Sequence, residues 1–296
     1  MNLESFFNAV VGSREGEFRP SQSDDISEEE ILKVYNEEER EKKKEIKSWR
    51  GRTSPSILQE AKEKTSKELG GGCNKTVFVE FENGEKGVFK PASGEDKSIR
   101  PYIEHGTLFK RERAAYLVDR FFDFGIVPPT VIKKIGDDVG SLQKFIPDTS
   151  SYWDIFSTTV IKEKSVEDQI KALWIFDLLI HNSDRHMGNL LFSELHTESY
   201  SDVKTHAIDN GCSFSRDSYQ NSIGYPFDKE FSEEIIGKVE GFIKNERTQD
   251  ILRELLLELL PEEEVDAFFL RVKKIGEIII KNKKIPIEEE KNVTSF

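Results

Sequence analysis

Between Ala172 and Gly211 the chain twice runs from an apolar stretch into a short polar turn, and that pairing limits the folds open to it. Ala172-Leu-Trp-Ile-Phe-Asp-Leu-Leu-Ile180 reads as a buried helix. It runs into the polar loop His181-Asn-Ser-Asp-Arg-His-Met-Gly-Asn189 and then a short apolar strand ending at Phe192. Ala207-Ile-Asp-Asn-Gly211 closes a second apolar strand, and Gly211 lets the chain turn sharply. Asp184 and Asn189 sit at the two ends of the loop, and Asp209 ends the second strand. Two carboxylates and one amide on adjacent strand ends form a hard, all-oxygen site of the kind Mg²⁺ accepts when phosphate oxygens complete its shell. Asn189 and Asp209 are the candidate metal ligands. Asp184, facing a hydroxyl, could orient it or take its proton. His186 orders the loop or takes part in proton transfer, and Arg185 reads as a structural ion pair. This division of labour is that of phosphoryl transfer.

Composition removes several other classes. The chain has 296 residues, enough for one two-lobed domain or two small ones. Its net charge of -13 argues against nucleic acid as main partner and against simple attraction to an anionic membrane. No stretch reaches the length of a membrane span, and the apolar patch near Phe6 lacks the basic leader of a secretory signal. The two cysteines, Cys73 and Cys212, are far apart and without metal-ligand spacing, which fits a reducing cytoplasm.

Before the apolar helix, hydrophobic periodicity and turn signals predict the following order. Residues 1–25 read as an arm. Ser27-Glu-Glu-Glu30 is a capping box that predicts a helix to about Trp49, charged all round from Glu37 to Lys44 and so solvated. Ser54-Pro55 predicts a second helix ending at Gly70. Gly70-Gly-Gly-Cys-Asn-Lys75 leads into the strand Thr76–Glu82, Asn83-Gly84 into a two-residue hairpin turn, and Lys86–Pro91 is the return strand. Leu108–Phe124 has helical spacing of apolar residues, stopped by Gly125. Ile126–Ile132 and Gly140–Ile146 read as strands.

After the hinge-like Pro147–Thr149, a short helix spans Tyr152–Phe156, and Ser165 and Asp168 cap a long helix to Asn182. Ser193–Val203 is a polar excursion. The remainder is helical, with a leucine-rich stretch at Gln249–Leu260 and a helix opened by Pro261 and running to about Lys281. Residues from Asn282 onward are predicted to fray.

Asn182-Ser-Asp-Arg-His-Met-Gly-Asn-Leu-Leu-Phe192 followed by Ala207-Ile-Asp-Asn-Gly-Cys-Ser-Phe214 resembles the phosphatidylinositol 3/4-kinase branch of the protein-kinase-like superfamily. It is most similar to the type II phosphatidylinositol 4-kinases and their bacterial relatives, over roughly residues 67 to 235. The resemblance implies an α+β fold of two lobes: an antiparallel sheet with one helix near 67–147 and a mainly helical part near 148–285, flanked by a helical extension at 1–66 and a tail at 286–296. It implies ATP and Mg²⁺ as cofactors.

By the same resemblance, Lys90 of Val-Phe-Lys-Pro contacts the phosphates, and Glu112 of Arg-Glu-Arg-Ala-Ala-Tyr orients that lysine. Gly71, Gly72, Asn74 and Lys75 form a phosphate loop, and the backbone near Phe145 and Ile146 meets the adenine. Ser213–Gly224 corresponds to the activation segment, where Arg216 is the one base. With so few bases and no palmitoylated cysteine cluster, a protein acceptor is expected before a phosphoinositide. A toxin-like protein kinase of bacterial persistence modules and a nucleotide-sensing module without turnover are the further readings.

Overall fold

Alternating apolar residues make Thr76–Phe81 and Lys86–Pro91 the centre of an antiparallel sheet, which the computed structural model shows as five strands. The structure describes residues 28–53, 56–70, 73–96, 103–195, 202–214 and 227–294. The N-terminal arm, the Ser27 cap, the Ser54-Pro55 helix start, Gly71, Gly72 and most of 213–224 lie outside them. The chain divides into two units, residues 1–50 and 51–296.

Helix α1 (Glu28–Thr53) makes up the described part of the first unit and runs on past the predicted Trp49. Its charged centre is exposed along most of its length, as an all-round polar sequence requires.

In the second unit a single turn, α2 (Ser56–Gln59), precedes the sheet. The strands are β1 (Glu63–Leu69), β2 (Thr76–Phe81), β3 (Lys86–Pro91), β4 (Thr130–Ile135) and β5 (Asp138–Lys144), in the order β1-β2-β3-β5-β4. The predicted helix over 54–70 is therefore wrong for most of its length. Glu63-Lys-Thr-Ser-Lys-Glu-Leu69 is an edge strand with every residue exposed, so it carries no alternation to betray it. Its backbone is fixed by pairing with β2, from Leu69↔Thr76 to Glu63↔Phe81.

The β2–β3 turn also differs from expectation. Phe81 N–H donates to Glu85 O and Gly84 N–H to Phe81 O, and only Gly84 of the loop residues has positive φ (+82°). This is a three-residue loop with glycine in the left-handed position, not a two-residue turn. One face of the sheet buries Val79, Phe81, Phe89, Val131 and Leu142 with Leu58 and Ala61. Each such side chain is worth about 1.5–3 kcal/mol over its exposed state.

Helix α3 (Leu108–Phe122) packs against β4 and β5. Arg113 crosses beneath it to the carbonyls of Thr53 and Thr130, 2.9 and 2.7 Å away. Ile126–Pro129, predicted as strand, is instead the approach to β4: Ile126 N–H bonds Asp119 Oδ1 (2.9 Å) and its carbonyl takes Ala207 N–H (2.8 Å).

Beyond the sheet come β6 (Ser150–Ser151), α4 (Tyr152–Ile155) and α5 (Lys164–Ile180), followed by β7 (Leu190–Ser193) and β8 (Lys204–Ala207). Strands β6, β7 and β8 form a small second sheet. Glu163, with no side-chain cap, starts α5, not Ser165 or Asp168. Helices α6 (Glu233–Lys244), α7 (Glu246–Leu257) and α8 (Glu262–Asn282) pack together, and Pro261 caps α8 as expected. The tail is not frayed. Residues Glu290–Thr294 form α9, which packs on α8 with Val293 fully buried. An apolar Val at the fourth position of that turn supplies the anchor.

Candidate functional site

Lys90, the next-to-last residue of β3, pairs with Ser141 of β5, and the neighbouring Gly140 comes so close that a Cβ on it would lie 2.2 Å from the Lys90 carbonyl oxygen. The strand end is thereby fixed, and the side chain leaves the sheet toward α3. Its ammonium meets Glu112 Oε1 at 2.5 Å and Asp209 Oδ1 at 2.7 Å. Glu112 is 3% exposed, so the surface ion pair that its flanking arginines suggest is not what forms. Its second oxygen accepts Asn210 N–H at 2.9 Å.

Burial pulls the Lys90 pKa down, but the Asp209 and Glu112 carboxylates outweigh it and hold the value above that of an ordinary lysine. The Lys90 charge in turn holds Asp209 below the usual carboxylate range, against the opposing effect of burial. Asp209 has φ +58°, a left-handed conformation that Asp tolerates better than most residues. Gly211 follows, and a Cβ there would press on Leu108 Cβ at 3.2 Å.

The loop carrying Asp184 starts where α5 stops. His181 takes the left-handed C-cap position (φ 53°). Asn182 Oδ1 accepts Asp184 N–H, and Asn189 Nδ2 donates to the Asp184 carbonyl at 3.2 Å. Arg185 organises what lies beneath. Its guanidinium is fully buried and pairs with fully buried Asp177 at 3.0 Å. It also donates to the carbonyls of Asn189 (3.0 Å) and Ile208 (2.6 Å) and to Asn210 Oδ1. One side chain thus ties α5, the Asp184 loop and the Asp209 turn together. Burial raises the Asp177 pKa, and Arg185 opposes that rise. His186 is exposed, and its Nδ1 accepts Gly188 N–H at 3.1 Å, which favours the loop-ordering reading.

These groups surround a cavity of about 280 Å³. Asn74, Lys75, Lys90, Glu112, Asp184, His186 and Asp209 all line it. Lys75 N–H bonds the Gly94 carbonyl (2.9 Å), and Asn74 Oδ1 takes Asp96 N–H, so this wall rests on the segment after β3.

Three candidates are not among the lining residues. Asn189 is 6% exposed and sits behind Asp184. Phe145 donates its backbone N–H to Lys86 O (3.0 Å) and sets its ring edge-on to Phe78, and Ile146 follows it. With the Asn189 nitrogen engaged, Oδ1 is the atom that could meet a cation. Together with Asp209 it offers an oxygen-only set that fits Mg²⁺ or Mn²⁺.

Sequence reasoning missed Asp177, Asn210 and Glu95. Glu95 lines the cavity and caps α3 by accepting Phe109 N–H at 3.3 Å and Gly106 N–H at 2.7 Å. Three carboxylates between 228 and 234 are paired with nearby lysines, as Asp228–Lys284, Glu233–Lys283 and Glu234–Lys238.

No protein-family profile matches the chain, and no curated protein does. Among solved structures it is similar to a Golgi casein kinase with Mn/ADP bound, at 18% identity and TM-score 0.54, over 76% of this chain and 74% of that one. It is similar to the Helicobacter pylori proinflammatory kinase CtkA at 12% identity and TM-score 0.52, over 76% and 96%. Hydra Fam20 with sugar gives 16% identity and TM-score 0.57, over 77% and 87%. Identities this low speak to architecture alone, and the architecture is a protein-kinase-like α+β fold.

Proposed function

We propose that this chain moves the γ-phosphoryl group of ATP, with Mg²⁺, to a hydroxyl group on a protein. The observation that carries the reading is the convergence of Lys90, Glu112 and Asp209 on one cavity wall, with Asp184 on the same cavity. Lys90, oriented by Glu112, meets phosphate oxygens, with Asn74 and Lys75 on the same cavity wall. Asp184 positions the acceptor hydroxyl and takes its proton, and His186 fixes the loop. Asp209 and Asn189 Oδ1 would hold Mg²⁺, which would supply positive charge to offset that of the phosphates. Positioning and electrostatics supply most of the rate.

The motif wording supports kinship with the phosphatidylinositol 3/4-kinase-like branch. The reading keeps two lobes near 67–147 and 148–285, and the pairing of β1 from Glu63 supports beginning the first a few residues earlier. A protein acceptor is favoured over a phosphoinositide by the net charge of -13 and by the lone Arg216 in the activation segment. Among the described residues no helix is long and apolar enough to cross a membrane. The Golgi casein kinase neighbour carries Mn and ADP, in keeping with a nucleotide and a divalent ion here. Neither Cys73 nor Cys212 is in a disulfide, which suits a reducing cytoplasm.

Incubation with Mg²⁺ and γ-labelled ATP tests the reading. Asp184→Ala should lose transfer and keep Mg·ATP binding, and Asp209→Ala should lose the metal-dependent part of binding. Unchanged turnover in Asp184→Ala removes the catalytic assignment. Label in phosphoinositide vesicles alone, with none in lysate proteins, moves the acceptor to lipid.

A further inference from the structure

Two of the most exposed large apolar side chains in the described structure stand next to each other. Trp153 is 60% exposed and Phe156 50% exposed, with their rings edge-on at 6.3 Å. Trp153 sits on α4 and Phe156 at its C-cap, and α4 packs against the turn Met187–Asn189 and against β7. That turn belongs to the loop whose Asp184 and His186 line the cavity already described.

The pair is held in place. Asp154 accepts from the backbone N–H and hydroxyl of Ser151 at 2.8 and 2.6 Å, Ser151 pairs with Leu191 of β7, and Tyr152 packs on Phe192. A pre-ordered, solvent-facing Trp–Phe pair loses little side-chain freedom on contact, and aromatics in such positions anchor protein interfaces.

We infer that Trp153 and Phe156 form a docking platform for the acceptor protein, taking an apolar side chain flanked by basic residues. The inference rests on the phosphotransferase reading above. The basic flank follows from charge. Between Lys144 and Lys162 the chain has no Lys, Arg or His, while Asp148 and Asp154 are both exposed within that stretch, in a chain of net charge -13. The same surroundings oppose insertion into an anionic bilayer, which calls for bases around the aromatics.

The test uses the full chain without ATP. A fluorescent Ser-containing peptide carrying a Leu-Phe pair between arginines is titrated by anisotropy against wild type and Trp153→Ala/Phe156→Ala. A second peptide has Gly-Gly in place of Leu-Phe. The variant should bind the first peptide at least tenfold more weakly, and wild type should discriminate against the second by a similar factor. Both substitutions are at exposed positions, and an unchanged melting temperature confirms folding. Equal binding by the variant, equal binding of the two peptides, or no binding by wild type overturns the platform. So does co-sedimentation with phosphatidylserine-containing vesicles that only the variant loses, which makes the pair a membrane anchor. Binding is read apart from turnover: lost transfer with intact docking sinks the phosphotransferase reading alone, and transfer with indifferent docking sinks only the platform.

Discussion

Gly140→Ala offers a sharp test of how the site is held. The added methyl would lie 2.2 Å from the Lys90 carbonyl oxygen, 2.8 Å from its carbonyl carbon and 2.8 Å from Pro91 Cα. All three are backbone atoms, so no flexible side chain can move aside. Ordinary contact is about 3.5 Å, so the ends of β3 and β5 must part by about 1 Å. The Lys90 ammonium, now 2.5 and 2.7 Å from its two carboxylates, would be drawn to about 3.5 Å or more, outside hydrogen-bond range. Overpacking of this kind costs about 1–3 kcal/mol, and at about 2–4 °C per kcal/mol the melting temperature should fall by roughly 2–12 °C. A 1 Å displacement of a positioned group costs on the order of 10²-fold in rate. Calorimetry and γ-labelled ATP turnover measure the two effects. A variant with wild-type melting and wild-type turnover would refute the argument that β5 sets the position of Lys90.

Two further predictions concern buried charge. Arg185→Met leaves Asp177 unpaired in the core and should cost about 3–5 kcal/mol in urea unfolding, with Asp177→Asn in the same background recovering part of it. No recovery would mean that the carbonyl bonds, not the ion pair, carry the cost. Asp119 is fully buried with Oδ2 unpartnered, and burial pushes its pKa from 3.8 up to about 7. Its folded state therefore binds the proton more tightly than its unfolded state. The stability it contributes is complete only below about pH 4, the unfolded pKa, and is lost as pH rises through about 7, a loss of about 2 kcal/mol between pH 5 and 7. Relative to Asp119→Asn, wild type should become progressively less stable over that interval and then run parallel. A difference between the two that does not change with pH would count against the buried proton.

What could be read from the chain alone followed burial. The apolar runs of β2, β3 and α5 alternate or repeat at the period of their own structure, so element type was legible. Strand β1 was not, because an edge strand exposed on both faces has no pattern to show, and its pairing is made by backbone. The tail was misread because one buried valine is a weak signal among charges. Within the site, Asp184, Asn189 and Asp209 could be singled out by chemistry and order. The Lys90–Glu112 pairing came from resemblance, and the contact of Lys90 with Asp209 across 119 residues was not anticipated, since no local spacing encodes either. Asp177 did leave a trace. A lone carboxylate in Trp174-Ile-Phe-Asp-Leu-Leu-Ile180 implies a buried partner, and Arg185 is eight residues on. Glu95 lies in a polar segment where nothing distinguishes it.

The contacts of the first turns of α3 have a mechanical meaning. Arg111 donates to the Ser213 carbonyl at 2.6 Å, Glu112 accepts Asn210 N–H, and Leu108 lies against Gly211. Three side chains of one helix thus contact Asn210, Gly211 and Ser213 of the turn that follows Asp209, and Arg111 continues to Glu264 of α8 at 2.8 Å. The helix and the turn behave as one lever arm with a single pivot. Glu112 holds Lys90 with one oxygen and the Asn210 N–H with the other, so a shift of α3 that displaced Glu112 would load the Lys90 ion pair and the Asp209 turn together.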